Sequence, residues 1–405
     1  MRFVRLGPLL WAWCVQIQAT GLDSECKEDP NLGLCSPSDQ KFGHVFEGVE
    51  KRIEIFFELK DDNVLGLRTI ERPILDEVCT EACCTIIHHE KTDCFDAYIL
   101  SESSLFIFRD RAMMKTCGTT VPLLAVEYLI KQARRVGVQP VGMTYSRSSF
   151  LFPELQLYPH RKLDDEIEYL ESMTLDGFST PGATFVLGNS DDKYWLVHRK
   201  QLSETLENVP VCRKKHQRVM VDCIMTGISS EARERYFKDT SKSDSENQEI
   251  MSNSLQSILP EFKEIVGKCY EPCGYSCNAQ KIMGDEGSDR YFTVHITPEE
   301  AFSYASVEAV FHSGDDVDLV QLGTDITRFV ENVARVFGPK DIAVTMLASN
   351  GSVPVLPSRT EMKVDHTTYD LVNTGRVFFG EDSGRSDMVA VYTMYSTAHQ
   401  SPLVV

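Results

Sequence analysis

The sequence predicts an antiparallel α+β fold. From Phe46 onward, strand-like and helix-like segments occur in both halves of the chain, without the strict alternation that marks a doubly wound parallel sheet. The first element is the clearest. Across residues 50–59 (EKRIEIFFEL), Lys51, Ile53, Ile55, Phe57 and Leu59 recur at a period of two and so share one face of a strand, leaving Glu50, Arg52 and Glu54 on the other. Residues 97–100 and 105–108 are short apolar runs joined by Ser101-Glu102-Ser103-Ser104, which reads as two strands bent through a polar turn. A helix should follow, capped by Thr119 or Thr120 with Pro122 in its first turn. Leu123, Leu124, Tyr128, Leu129 and Ile130 are its apolar residues and Gly137 its end. A second helix after Thr324 uses Ile326, Phe329, Val330, Val333 and Phe337 and stops at Gly338-Pro339, and 342–347 returns as a strand. The polar, serine-rich stretch 238–254 lacks apolar periodicity and reads as an exposed loop or insertion.

Composition narrows the classes of function. Sixty acidic against 41 basic residues leave a formal charge of −19 on 405 residues. A broad nucleic-acid-binding face needs clustered Lys and Arg, so nucleic acid is not an expected partner, whereas a cationic ligand suits the excess of carboxylate. No run of 18 apolar residues occurs, so no membrane span is expected. Thirteen cysteines, odd in number and irregular in spacing, favour a reducing, cytoplasmic compartment over a disulfide framework. Residues 1–20 (MRFVRLGPLLWAWCVQIQAT) carry a weak secretory-signal pattern with Ala19 as its cleavage point, interrupted by Pro8, Gln16 and Gln18. The competing reading is a poorly ordered extension to about residue 40, and 1–40 is set apart from the fold on either reading.

Several constellations bear on chemistry. Glu50, Arg52 and Glu54 form either a solvated outer face or a buried network in which Arg52 neutralises two carboxylates. Cys79, Cys83 and Cys84, and Cys269, Cys273 and Cys277, lack the paired spacing of a zinc site, so no metal is expected and these read as structural thiols. Cys117 lies in Lys115-Thr-Cys-Gly-Thr-Thr120 just ahead of the expected helix. There the helix dipole and a nearby cation would lower its pKa, although a small buried residue is an equal reading. With His295, which follows an apolar strand, Cys117 makes a cysteine–histidine hydrolase the generic enzyme class.

The turn at Ser101–Ser104 offers a different chemistry. A serine in a strained turn can attack the preceding carbonyl and convert the amide to an ester. Loss of the Cα proton then breaks the chain, and the serine remnant hydrolyses to a pyruvoyl group. Its ketone forms a Schiff base with an amine and acts as an electron sink. Six segments extend the signal in register: Phe46-Glu47-Gly48-x-Glu50-Lys51, Leu100-Ser-Glu-Ser-Ser104, Lys115-Thr-Cys-Gly-Thr-Thr120, Tyr158-Pro-His-Arg161, Pro272-Cys-Gly-Tyr-Ser276 and His295-Ile-Thr-Pro-Glu299. Together they resemble the eukaryotic, pyruvoyl-dependent S-adenosylmethionine decarboxylases of polyamine biosynthesis, from Phe46 to the 340s.

The resemblance implies a four-layer α/β/β/α sandwich of two antiparallel sheets with helices outside. It also implies a single two-sheet domain over 41–405, cleaved by its own chemistry between Glu102 and Ser103 into chains that stay associated. Ser103 would become the pyruvoyl cofactor and Cys117 would donate a proton to the substrate carbon, a role that needs a thiol rather than a thiolate. His295 would be the processing base, with Ser276 and Glu50 assisting. Phe46 and Tyr270 would stack on the adenine of S-adenosylmethionine, and Glu47 and Glu299 would bind its ribose.

In animal members an acidic cluster between the sheets binds the activator putrescine. Glu54, Asp222 and Glu308 match parts of that cluster, while Arg52 replaces an apolar residue and Arg218 an acid. Plant members also carry arginine at the position of Arg52 and need no diamine, which implies that Arg52 supplies the cation here. The family is cytosolic and includes monomers and dimers, so a homodimer stays open. The alternative is a regulatory, non-catalytic paralogue. Against it, Ser103, Cys117, Ser276, His295, Glu47 and Glu299 are all present. Spacing from Ser276 to His295 exceeds the family's through an insertion around 283–288.

Overall fold

The computed structural model describes residues 46–59, 65–173, 182–189, 193–201, 218–271, 273–281, 290–312, 319–349, 361–382 and 385–397. The signal-like N-terminus, the 283–288 insertion and residues 398–405 lie outside the described residues. The chain divides into two units, Met1–Phe46 and Glu47–Val405, and the fold below is that of the second.

Strand β1 (Lys51–Leu59) shows how side-chain alternation sorts residues between layers. Ile53, Ile55 and Phe57 face helices, in a core shared with Leu75 and Val78 of α1 (Arg72–Glu81), Leu129 and Ile130 of α2 (Ala125–Arg135), and Leu170 of α3 (Leu163–Ser172). Arg52 and Glu54 face the opposite way and are buried all the same, at 3% and 2% exposure, so the solvated-face reading fails.

The first sheet has eight strands in the order β2 (Ile86–Lys91), β3 (Phe95–Leu100), β4 (Ser103–Phe108), β5 (Arg111–Thr116), β1, β6 (Val138–Ser148), β8 (Lys193–Gln201) and β7 (Ala183–Asn189). The second has nine, in the order β10 (Phe262–Cys269), β11 (Tyr275–Lys281), β12 (Tyr291–Thr297), β13 (Tyr304–His312), β9 (Arg218–Thr226), β14 (Asp341–Ser349), β17 (Arg385–Thr397), β16 (Thr367–Asp382) and β15 (Glu361–Val364). Every pairing is antiparallel.

Three hydrophobic cores establish four layers. The second core packs Val221, Val294 and Val307 of the second sheet against Met251 and Leu255 of α5 (Asp244–Leu255), and Phe329 and Phe337 of α6 (Leu319–Phe337). A short helix α4 (Ser230–Arg235) joins them through Ala232. The third core lies between the sheets, where Phe95, Phe106 and Trp195 meet Met220, Tyr291 and Val310. The architecture is therefore an α/β/β/α sandwich of two antiparallel sheets with helices outside. Among the described residues no helix is long and apolar enough to cross a membrane.

Local expectations differ from the structure at four places. The stretch 238–254 read as a loop contains α5, because Ser243 and Glu246 form a reciprocal capping box and Met251 and Leu255 supply a short apolar stripe. Neither Thr119 nor Thr120 caps a helix. Pro122–Leu124 is a 3-10 turn, α2 starts at Ala125 without a side-chain cap, and Thr120 donates to the Cys117 carbonyl at 2.7 Å. The helix placed after Thr324 begins a full turn earlier, at Leu319. Of the cysteines read as structural thiols, Cys83 is exposed and Cys269 half-buried, while Cys79, Cys84, Cys273 and Cys277 are buried.

Phe106 is the aromatic centre of the inter-sheet core, fully buried with its ring centroid 4.5 Å from that of Tyr291 and 5.7 Å from that of Phe95. Replacing Phe106 by Ala should cost about 3–5 kcal/mol, measured by denaturant unfolding; a loss below about 1 kcal/mol would place the weight of the core elsewhere.

Candidate active site

Strands β3 and β4 form a hairpin closed by Ser101 and Glu102, with Leu100 opposite Ser103. Ser103 is buried and sits at φ 112°, a conformation that a residue with a Cβ rarely adopts. Its hydroxyl points at the Cys117 sulfur at 3.5 Å. The Cys117 backbone N–H donates to the carbonyl of Glu102 at 3.2 Å, and its thiol lies 3.9 Å from Glu102 Oε2. The acyl group preceding Ser103 is thus held by an N–H donor while a hydroxyl stands beside it.

The electrostatics at Cys117 reverse the helix-terminus argument. Burial pushes its thiol well up, and the carboxylates of Glu102 and Glu50 add to that more than Lys51 offsets. Cys117 therefore carries its proton. Burial also raises Glu102, to about 8, against the pull of Lys51.

His295 reaches the site from the second sheet. It stands on β12 between Ser276 on β11 and Ser306 on β13, its direct cross-strand neighbours. Nδ1 is 3.0 Å from Ser276 Oγ, and Nε2 is 2.9 Å from Thr293 Oγ1 and 3.7 Å from Glu50 Oε1. Burial, reinforced by the Lys115 charge, holds the imidazole well below its usual pKa, so it is neutral. Glu50 Oε2 accepts from the hydroxyls of Ser306 and Tyr304, the latter at 3.3 Å, and lies 3.4 Å from Lys115 Nζ. Burial raises Glu50, with Lys115 and the hydroxyls of Ser306 and Ser103 opposing it. Tyr270 donates its hydroxyl to the Leu100 carbonyl at 2.9 Å, beside the same hairpin.

The charged face of β1 continues into an ion network between the sheets. Arg52 Nε binds Glu308 at 3.0 Å and its Nη2 binds Glu54 at 3.0 Å. Arg218 and Arg111 meet Glu54 Oε1 at 3.0 and 3.2 Å, and Lys115 meets Asp222 at 2.8 Å and Glu308 at 3.3 Å. The Arg52, Glu54, Arg218, Asp222 and Glu308 set is thus gathered in one place. Burial would raise Glu54, but Arg218, Arg52 and Arg111 hold it at about 2. Lys115 is raised despite burial by Asp222, Glu50 and Glu308.

Arg111 and Lys115 join this network without a motif of their own in the sequence. Their signal is the spacing Arg111, Met113, Lys115 along β5, which points all three inward only once both faces of that strand are known to be covered. Lys51 shares the apolar face of β1 yet is a charged residue. It is fully buried, bonded to the Gly118 carbonyl and Gln156 Oε1 at 2.9 Å each, and burial lowers it to about 8.

Glu47 is 3% exposed and accepts backbone N–H bonds from Val49 at 3.0 Å and Phe152 at 2.7 Å. Glu299 is half-buried beside the Cys273 thiol, and burial raises both carboxyls. Phe46 ends the first unit. Among the described residues no group of His, Cys, Asp and Glu is arranged to hold a metal ion.

Comparison with known proteins gives concordant matches. The adenosylmethionine decarboxylase family pattern matches residues 43–380. S-adenosylmethionine decarboxylase proenzyme 1 of Arabidopsis thaliana is 35% identical over 84% of this chain and 87% of its own. Proenzyme 3 of Brassica juncea is 35% identical over the same shares, and the Nicotiana tabacum proenzyme is 37% identical over 75% of this chain and 79% of its own. A solved Trypanosoma brucei AdoMetDC-delta26 monomer aligns with 72% of this chain and 98% of that one, at 19% identity and a TM-score of 0.47. With a family match that spans most of its length and relatives above a third identical, this chain belongs to the adenosylmethionine decarboxylase family.

Proposed function

We propose that this chain is a proenzyme that cuts itself between Glu102 and Ser103 and then decarboxylates S-adenosylmethionine to S-adenosylmethioninamine for spermidine and spermine synthesis. The observation that carries the reading is Ser103 itself, a buried serine at positive φ whose preceding carbonyl accepts the Cys117 N–H. Self-cleavage needs only groups of the chain and water. Ser103 Oγ attacks the Glu102 carbonyl carbon, the C–N bond gives way to a C–O ester bond, and the hydroxyl proton passes to the Ser103 nitrogen. The Cys117 N–H stabilises the carbonyl oxygen as charge collects there. Neutral His295 then removes the Ser103 Cα proton, and the Cβ–O bond breaks to release Glu102 as a carboxylate. Water completes the conversion by displacing ammonia from the serine remnant, leaving a keto group.

The surroundings suit a pyruvoyl group at Ser103. They are buried and carry hydroxyl, thiol and carboxyl groups. The buried amines of the region are engaged: Lys51 by Gly118 and Gln156, Lys115 by Glu50, Asp222 and Glu308. When formed, that group supplies a ketone that binds the substrate amine and takes up the electron pair left as CO2 departs. Cys117 would return a proton to the substrate carbon, and its raised pKa supports that role by keeping the proton available. Glu47 and Glu299 supply carboxylates for ribose hydroxyls, and Tyr270 an aromatic face for the adenine. The permanently positive sulfonium is favoured by both kinds of group.

Cleavage separates the chain without separating the sheet. β1 and β3 precede the cut, yet β3 pairs with β4, and β1 lies between β5 and β6, which follow it. The two pieces should therefore remain one sandwich.

Ser103→Ala should leave a single full-length chain on a denaturing gel and no decarboxylation. A Ser103→Ala chain that still splits would remove the mechanism. Cys117→Ala, assayed in chains that have cleaved, should lower turnover by about 10²–10⁴-fold.

The pH profile follows from the direction of the Cys117 shift. A raised pKa means that the donor form persists to higher pH, so kcat should stay level from about pH 7 to 9. A fall centred near the ordinary thiol value of about 8.5 would contradict the protonated-thiol role.

The ion network predicts the response to diamines. Arg52, Arg111, Lys115 and Arg218 already neutralise the acidic cluster, so added putrescine should leave kcat unchanged. A several-fold rise would show that the cluster still lacks positive charge.

A further inference from the structure

The Ser276–His295 pair and the Asn278–Thr293 pair are alternate rungs of the β11–β12 ladder, separated by Cys277–Val294, and so share its inward face. All four residues are buried, so bulk water does not compete for their hydrogen bonds. The direction of those bonds can be read from one fixed end. The carbonyl of Tyr98 can only accept, and it takes Asn278 Nδ2 at 3.2 Å. That contact orients the amide and turns Oδ1 toward two hydroxyls, Ser104 at 2.8 Å and Thr293 at 2.9 Å. Besides that amide oxygen, Thr293 Oγ1 has the Cys277 carbonyl at 3.2 Å; both can only accept, so the single Thr293 proton is directed at them and its oxygen lone pairs are left for His295 Nε2, 2.9 Å away. Glu50 Oε1, at 3.7 Å, puts a second acceptor on the same side of the ring. On the opposite side Nδ1 faces the Ser276 hydroxyl, which can donate, at 3.0 Å.

From this chain of bonds we infer that Asn278 and Thr293 are positioning residues that hold His295 as the Nε2–H tautomer, so that the lone pair which takes the Ser103 Cα proton is on Nδ1. Neither residue touches the scissile bond in this scheme. They act through the imidazole by deciding which nitrogen is bare, and the opposite tautomer would turn an N–H toward Ser276. The inference rests on His295 being the processing base.

Two measurements test it, one of which needs no cleavage. Full-length Ser103→Ala protein with heavy nitrogen in its histidine rings should give a proton–nitrogen correlation spectrum in which His295 carries hydrogen on Nε2. Hydrogen on Nδ1 would overturn the assignment. In the otherwise unaltered chain, Thr293→Val should slow self-cleavage at least about tenfold, while Thr293→Ser, which keeps the hydroxyl, should stay within about threefold of the original rate. Because the slowed step follows ester formation, hydroxylamine should split the Thr293→Val chain at Glu102/Ser103, an outcome that mere loss of packing would not produce. Thr293→Val cleaving as fast as Thr293→Ser would refute the positioning role. His295→Ala cleaving at the original rate would refute His295 as the base and leave the tautomer to the spectrum alone.

Discussion

Two sheets packed face to face leave no room for an unpaired charge, yet β1, β5, β9 and β13 send ionised side chains into the space between them. Arg52, Arg111, Lys115 and Arg218 meet Glu50, Glu54, Asp222 and Glu308 there. Removing either sign alone would leave a buried charge without compensation, a loss of about 3–5 kcal/mol in comparable cases. The constraint is therefore mutual. Opposite Arg52 on β1 stands Lys115 on β5, and opposite Glu308 on β13 stands Asp222 on β9. Like charges face each other at these two positions, and Arg52 and Lys115 of the first sheet find Glu308 and Asp222 across the gap in the second, in addition to the Glu54 and Glu50 carboxylates of their own sheet. The network thus favours one particular stacking of the two sheets, which the greasy contacts around Phe106 alone would fix less sharply.

Lys115 couples that requirement to the catalytic region. Its ammonium contacts Asp222 and Glu308 on the side of the network and Glu50 on the side of His295 and Ser103. A change of charge in the cluster therefore acts on Glu50 through a single shared ammonium. This gives a physical route by which the acidic cluster can influence the β3–β4 hairpin. Here the route is already set by side chains, since three guanidinium groups stand among the carboxylates.

How much of this was legible in the sequence depended on whether a signal was local. The period of two in β1, the β3–β4 turn and the apolar stripe of α6 each follow from neighbours a few residues apart, and β1 and the hairpin stand where they are read while α6 starts one turn earlier. The charged face of β1 did not declare its surroundings, because burial of Arg52 depends on Glu308, distant in sequence and on the other sheet. Helix α5 was missed because its start rests on one reciprocal cap at Ser243 and Glu246, and its stripe on only two residues. The state of the Cys117 thiol is not legible from its place ahead of a helix, because desolvation, which the sequence does not show, outweighs the helix terminus. Thr293 and Asn278 carry no signal in sequence, since a threonine and an asparagine on a strand gain meaning only when the register sets them opposite each other.

The hairpin at Ser103 gathers these threads into one physical picture. A serine at φ 112° costs on the order of 1–3 kcal/mol, and such a conformation persists only where the surroundings impose it. Here the imposition comes from the β3–β4 ladder on one side, β5 on the other, and the Cys117 N–H on the Glu102 carbonyl. Cleavage at this bond would let the strained residue relax, because the backbone dihedral that holds the strain ends at the broken bond. It would not loosen the sheet, because β1 remains clasped between β5 and β6. A fold that ties the strands on both sides of the cut into one sheet can thus direct the strain to a single peptide bond and keep the resulting pieces in register around the site they form.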